Sequence, residues 1–199
     1  MSRAFVVLFS LTVLAAPAHA DDLTGMLEKG PMAGIDVDNA GRFASVFSVT
    51  DIDAPIAQVW TVLVDYPSYR FFMPRVADVE ASPGPAGATI VRWTIDTPVV
   101  TTEHTNSNTA DIDKMLVRAR TIDGDMVGSR YEWRLVSLGA GKTRMFHTAW
   151  PRNMNSVVDA LDDVHQTITI SVALSSAMAT IRALKGRAEL LEHNAHPKG

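Results

Sequence analysis

The stretch Gln166-Thr-Ile-Thr-Ile-Ser-Val-Ala-Leu-Ser-Ser-Ala-Met-Ala-Thr-Ile-Arg-Ala-Leu-Lys-Gly-Arg-Ala-Glu-Leu-Leu-Glu192 decides how the rest of the chain is read. Plotted at helical period, Ile170, Leu174, Ala177, Met178, Ile181, Leu184, Ala188 and Leu191 fall on one broad apolar face. That is the pattern of a helix lying on a core, and no strand can use it. A second face carries Ile168, Val172, Ser175, Ala179 and Ala183, and no charge intervenes between Gln166 and Ile181. The first half is therefore apolar or small nearly all round and is expected to be covered by protein, ligand or lipid. Charges return at Arg182, Lys185, Arg187 and Glu189, so the second half reads as an ordinary surface helix. A membrane span is not expected, because the uncharged run falls short of the roughly 20 apolar residues of a bilayer core and is diluted by Ser and Thr.

Just upstream, Arg152 to Val164 is first polar and then helical through Val157, Val158, Leu161 and Val164. One unbroken helix from Ser156 to Glu192 would exceed about 50 Å, longer than a domain of this size is wide. An interruption is expected near Asp163–Thr167.

Before that helix, the texture is one of short alternating runs separated by turn residues. The strands expected are Arg75–Ala81, Thr89–Asp96, Val99–Thr109, Lys114–Asp123, Ser129–Leu138 and Thr143–Trp150. Their separators include Pro83-Gly84-Pro85-Ala86-Gly87, Thr97-Pro98, Gly124-Asp125 and Gly139-Ala140-Gly141-Lys142, which carry hairpin or loop chemistry. Strands joined so tightly are antiparallel neighbours. A further strand is expected over Arg42–Ile52, irregular near Asp51 where its alternation breaks. Pro55 then suits the first position of a helix carrying Val59, Trp60, Leu63 and Val64, which ends by Asp65-Tyr66-Pro67. A second short turn runs from Ser68 to Phe72. Asp21 to Gly41 reads as a lead-in with one short amphipathic turn (Leu23, Met26, Leu27) stopped by Gly30-Pro31 and packed outside the domain.

The order is thus α+β: a strand, two short helices, a run of antiparallel strands and a long C-terminal helix. A strongly twisted sheet of about seven strands curls, and the long helix alone can cover its concave face.

Arg3, the apolar run Ala4–Ala16 and the triplet Ala18-His19-Ala20 before Asp21-Asp22 have the layout of a secretory signal peptide over residues 1–20. Export, with the periplasm as the expected address, and a mature start at Asp21 follow. The remaining residues, about 180, divide into the lead-in at 21–41, one domain at 42–193 and a short disordered tail at 194–199. There is no cysteine among the 199 residues, so disulfide scaffolds, thiolate metal sites and cysteine nucleophiles are excluded. The net charge is −4, with no basic cluster, so nucleic acid is not an expected partner.

Ile52-x-Ala54-Pro55-x-x-x-Val59-Trp60-x-x-Leu63-x-Asp65-Tyr66-x-x-Tyr69-x-x-Phe72-x-Pro74-x-Val76 resembles the opening of the helix-grip proteins. These form the START/Bet v 1-like (SRPBCC) superfamily, and the likeness is to its bacterial polyketide cyclase/dehydrase and coenzyme-Q-binding branch. Ala183-Leu184-Lys185-Gly186-Arg187-Ala188-Glu189 is similar to the end of the helix in that branch. The resemblance covers roughly Arg42 to Glu192. It implies a curved antiparallel sheet gripping the last helix, with a ligand cavity between them. It says little about activity, because carriers, receptors and enzymes share the scaffold.

Strand parity puts Trp93 with Val91 and Ile95, Tyr131 with Trp133 and Leu135, and Met145 with His147. An aromatic core facing the helix is the plainest use of these faces. With the cavity that the resemblance implies, Trp93, Tyr131, Trp133, Met145 and His147 become its wall, and Leu174, Met178 and Ile181 its roof. A single bulge would flip any of these faces.

Gly139-Ala140-Gly141-Lys142-Thr143 lacks the first glycine of a phosphate loop, since Val136 stands there, and reads as a hairpin turn. His104, His147 and His165 show no paired spacing, so no metal and no cofactor is expected. Glu103, His104 and Glu132 are acid/base candidates on strands, but neighbours in a strand point to opposite faces, so Glu103 and His104 cannot form a dyad.

The function expected is non-catalytic binding and transport of a hydrophobic small molecule, such as a lipid, a sterol-like or an isoprenoid compound. Transient membrane or envelope-protein contact would accompany it, and the loops Pro83–Ala88 and Thr97–Pro98 would be its gates. A polyketide cyclase or aromatase using an inward group such as His147 or Glu103 is the alternative from another class. A structural interaction module with a filled core is a third. Oligomeric state stays open.

Overall fold

The computed structural model describes residues 23–96, 101–152 and 162–196. Residues 1–20, expected above to be a signal peptide, Thr97–Pro98 and most of the polar lead into the last helix lie outside that range. In chain order the elements are α1 (23–27), β1 (Met32–Val37), β2 (Phe43–Ile52), α2 (Ile56–Val64), a 3-10 turn Tyr66–Phe71, and β3 (Val76–Pro83). Then come β4 (Thr89–Asp96), β5 (Thr101–Asp111), β6 (Leu116–Gly124), β7 (Arg130–Ser137), β8 (Thr143–Trp150) and α3 (Asp162–Ala195).

All strands join one antiparallel sheet of eight in the order β1-β2-β8-β7-β6-β5-β4-β3. Hairpins make every junction except β2–β8, where the first long strand meets the last and brings the two ends of the domain together. This is the helix-grip architecture, with one strand more than expected. Residues Met32–Val37 sit in the lead-in yet pair with β2 from Met32↔Val49 to Val37↔Phe43. Its large apolar residues are Met32, Ile35 and Val37, and the alternation Ile35-Asp36-Val37-Asp38 is too short to flag a strand by itself; its place is set by its partner. Gly34 leaves room there for the ring of Phe47, which a Cβ would meet at 2.5 Å.

β2 pairs with β8 without a register shift through Asp51, so no bulge explains its broken alternation. Both its faces are covered. Val46, Ser48, Thr50 and Ile52 are buried on one side and Val49 and Asp51 on the other, where the Arg144 guanidinium donates to both Asp51 carboxylate oxygens (2.7 and 3.0 Å). Arg144 also donates to Thr24 of α1, and Leu27 of α1 is buried. The lead-in helix thus caps the outer face.

Pro55 is the N-cap of α2 and its missing N–H costs nothing there. Val59, Trp60, Val62 and Leu63 are buried, and Tyr69 donates from its hydroxyl to the Leu63 carbonyl at 2.7 Å. That bond ties the 3-10 turn under the helix.

α3 is continuous over its 34 residues, with no interruption at Asp163–Thr167. At 1.5 Å per residue it is about 51 Å long, well beyond the roughly 27–37 Å of the longer strands, so it overhangs the sheet. It packs on β2, β1, α2 and, marginally, β8. Ala173, Ala177, Ile181, Leu184 and Ala188 are buried. Lys185 donates to the Asp51 carbonyl, and the Asp53 amide donates to Glu189. These bonds fasten the second half of the helix to the end of β2. The first half is less covered than its composition demands, since Ile168 and Val172 remain 41% and 48% exposed. By length and composition Thr167–Ala195 could cross a bilayer, yet Ile181, Leu184 and Ala188 belong to the main hydrophobic core with Ile52, Leu63, Val117, Leu135 and Met145.

Candidate functional site

The inner face of the sheet, turned toward α3, follows strand parity as the sequence has it. Trp93 (β4), Tyr131 and Trp133 (β7), and Met145 and His147 (β8) all lie on it. Trp93, Met145, His147 and Ile181 are buried, whereas Tyr131, Trp133, Leu174 and Met178 are half-buried. Trp93 packs against Tyr66 and Tyr69, with centroids 6.4 and 5.5 Å away. Tyr131 stacks on Trp133, and Trp133 on His147. Leu174 packs with Tyr131 beside Val46, Ala149, Ala173 and Ala177; there small helix residues let α3 approach the sheet closely. α3 sits toward the β1–β2–β8 side, so β4 to β7 are not its main support.

β7 is fourth of eight strands. Inward aromatics at the centre of a sheet would be fully enclosed by a filled core. Tyr131 and Trp133 keep accessible surface instead.

Parity alone did not reveal a second feature of this face. Among the described residues, the buried side-chain polar atoms without a hydrogen-bond partner are Tyr66 Oη, Trp93 Nε1, His104 Nδ1, Asn106 Oδ1, Asn108 Oδ1, Thr121 Oγ1 and Trp133 Nε1. All but Tyr66 sit on the inner face of β4–β7, and Tyr66 lies against Trp93. Register makes them neighbours: Trp93 is opposite His104, and Asn106 is opposite Val91 and Thr121. Buried polar groups are almost always paired; here Asn108 lies beside the Tyr66 hydroxyl and Thr121 beside that of Tyr131, within reach of a hydrogen bond. The alternation His104-x-Asn106-x-Asn108 was a visible signal, since polar side chains at every second position of a strand between aromatic strands face inward together.

Among the described residues, no carboxylate, lysine or arginine faces inward from β4–β8. Burial lowers the pKa of His147 to about 4 and lowers that of His104, with Asp125 opposing the shift. Burial also raises the Tyr66 and Tyr131 hydroxyls above their ordinary value. Asp51 and Arg144 are the buried charged residues, and they pair on the outer face. Glu103 and Glu132 also point outward, Glu103 opposite Thr94 and Glu132 in an ion pair with Arg118. Neither can serve as an inward acid or base. His104 and His147 stand three strands apart, roughly 14 Å, and the side chain of His165 lies outside what the structure describes. An open groove of about 430 Å³ on the outer face is lined by Arg118, Arg120, Arg130, Glu132 and Trp150; its charged walls do not suit an apolar guest.

Residues 52–196 match the family described as polyketide cyclase/dehydrase and lipid transport. The chain belongs to that family. No curated protein matches it, but many solved structures do. The Zhui aromatase/cyclase from Streptomyces sp. R1128 is 23% identical, covering 78% of this chain and 97% of its own, with a TM-score of 0.66. A STAR-related lipid transfer protein from Xanthomonas axonopodis is 13% identical over 80% of this chain and 94% of its own, TM-score 0.58. A START superfamily protein from Mycobacterium smegmatis is 14% identical over 74% and 99%, TM-score 0.57. At these identities the likeness is one of fold. Family and fold support a ligand-binding domain, while the names of the neighbours divide between enzyme and carrier.

Proposed function

We propose that the protein is a non-catalytic carrier that holds a hydrophobic small molecule between α3 and the inner face of β4–β8. The observation that carries this reading is the half-buried Tyr131–Trp133 pair on a central strand, an aromatic wall left accessible where a filled core would close it. The driving force is apolar transfer. Each methylene buried is worth about 0.8 kcal/mol, so a long chain or multi-ring guest gains on the order of 10 kcal/mol on leaving water. Leu174 and Met178 of α3 would close over it, whereas Ile181, fully buried in the core, leaves no surface for it. Export into the periplasm, with cleavage after Ala20, is part of the proposal, because a closed apolar site is most useful where a greasy molecule must cross water.

The chemistry of the inner face speaks against the cyclase alternative. The inward histidine with a value near 4 is a weak base at neutral pH and is not an acid there, and no carboxylate among the described residues faces inward from β4–β8. The test is native mass spectrometry of the protein purified from the envelope of its host. A mass beginning at Asp21 with a homogeneous small-molecule adduct is expected. An empty protein that takes up no hydrophobic probe would remove the carrier reading.

A further inference from the structure

We infer that the outer face of the sheet carries a binding site for a phosphate-type oxyanion, free or on a lipid head group, between Arg120 of β6 and Arg130 of β7. The inference stands on residues that the carrier reading does not use, on the opposite side of the sheet from the proposed guest.

Register fixes the site. Across β5, β6, β7 and β8 one outward row runs Ser107, Arg120, Arg130, Trp150, and the row beside it sets Arg118 opposite Glu132. That second row is internally compensated, because Arg118 donates to the Glu132 carboxylate at 3.0 Å. The first row is not. Arg120 and Arg130 stand directly opposite each other, a like-charge pair that works against the sheet, and neither makes an ion pair among the described residues. A doubly charged anion seated between them would turn that repulsion into two attractions.

The surroundings suit such a ligand. Both arginines are exposed and open on the groove of about 430 Å³. The Arg130 guanidinium lies over the Trp150 ring, 5.3 Å from its centroid, which holds the planar fork in place, so that less freedom is lost when it grips an oxyanion. Ser107, beside Arg120 in the row, adds a hydroxyl donor. Guanidinium forks match the oxygens of phosphate, and its two charges answer two arginines where a carboxylate answers one. The Glu132 carboxylate limits the site to the first row, since an anion extended along β7 would meet it. The chain as a whole carries −4, so the row is a local reversal of sign and not part of a general field that gathers anions.

The experiment follows the side-chain Nε–H resonances of Arg120 and Arg130 by NMR on the whole protein at low ionic strength, with inorganic phosphate as the probe and chloride at matched ionic strength as its control. Phosphate should shift both resonances saturably, with a Kd on the order of 1 mM, and Arg120→Gln or Arg130→Gln should weaken binding at least about fivefold. Arg134→Gln removes the same charge from β7 about 13 Å beyond Arg130 and should change Kd by less than about twofold. Phosphatidylcholine vesicles with and without phosphatidic acid then identify the source of the phosphate. Co-flotation only with phosphatidic acid, lost in Arg120→Gln and competed by free phosphate, assigns the site to a lipid head group. Phosphate binding with flotation absent, or indifferent to Arg120→Gln, assigns it to a soluble phosphate. Chloride acting on the two arginines as phosphate does, shifts that never saturate, or an Arg134→Gln loss equal to that of Arg120→Gln would overturn the site. None of these outcomes involves the inner face, so the carrier reading stands or falls separately.

Discussion

The indole of Trp133 lies close to parallel with the imidazole of His147, centroids 4.9 Å apart and planes 26° from each other. On its other side His147 reaches Ser48, whose Oγ is 3.4 Å from Nδ1. Among the described residues no acid shifts the ring upward; burial acts on it and lowers its pKa from 6.5 to about 4. Between those two values the unfolded chain binds a proton that the folded one refuses. Stability therefore rises with pH through this window: it is fully present above 6.5 and is lost as pH falls toward 4, by on the order of 3 kcal/mol. His104, shifted the same way by burial, adds to the trend. Thermal melts from pH 7.5 to 4 should show Tm falling with acid, and His147→Phe should flatten part of that fall. A Tm independent of pH, or equal slopes in the two proteins, would refute the assignment to His147.

Arg144 and Asp51 form a buried pair on the other side of the sheet, each side chain 9% exposed. Removing the guanidinium strands a carboxylate whose nearest remaining cation is Lys142, 3.9 Å away, and removes the bond from Arg144 to Thr24 of α1. Arg144→Met should destabilise the protein by about 3 kcal/mol, and Asp51→Leu in the same chain should restore most of it, because a buried pair replaced by apolar side chains is often neutral. Urea unfolding of the single and double variants reads the difference. A double variant no better than the single would mean that the pair contributes more than its charges.

The elements that carry the fold were legible where pattern and burial coincide. Thr89–Asp96 and Thr143–Trp150 end at the residues the alternation gives, and Ile181, Leu184 and Ala188 lie in the core as their helical spacing requires. The failures share one cause, a neighbour distant in sequence. Met32–Val37 is a strand because β2 offers it an edge, and Asp51 breaks alternation because Arg144, ninety-three positions on, meets it in the sheet. The unbroken α3 reflects a helix free to overhang its support. On the inner face, parity placed Trp93, Tyr131, Trp133, Met145 and His147. The neighbours of Asn106, Asn108 and Thr121 depend on a register shift between Thr105 and Asn106, which no single-chain pattern encodes.

Gly124 closes β6 at φ +78°, opposite His104. A Cβ there would stand 2.3 Å from the Glu103 carbonyl oxygen and 2.9 Å from the His104 Cα. Both are backbone atoms and cannot swing aside. Gly124→Ala should cost at least about 1 kcal/mol and, by displacing His104, weaken binding of a guest at the inner face as well. Gly139 makes the control: its φ is also positive, but a Cβ meets nothing within 4 Å, so Gly139→Ala carries the backbone strain alone. Denaturation midpoints for the two variants should differ, with Gly124→Ala the lower; equal midpoints would show that β5 gives way freely at this point.

Ile181 and Val172 lie on one helix and differ in what they touch. Ile181 is fully buried against the sheet, and Val172 is 48% exposed. If the second half of α3 is the clamp, Ile181→Ala should cost about 2–5 kcal/mol through lost burial and a cavity, and Val172→Ala no more than about 0.5 kcal/mol. Urea unfolding measures the two costs, and amide exchange along the helix supplies an independent check. Protection should be greatest around Ile181–Ala188, where Lys185 and Glu189 tie the helix to Asp51 and Asp53, and weaker around Ile168–Val172. A guest seated against Leu174 and Met178 should raise protection in the first half more than in the second, because the second is already held by protein. Protection that rises evenly along the helix, or a Val172→Ala cost matching that of Ile181→Ala, would mean that the overhanging half is clamped as firmly as the rest.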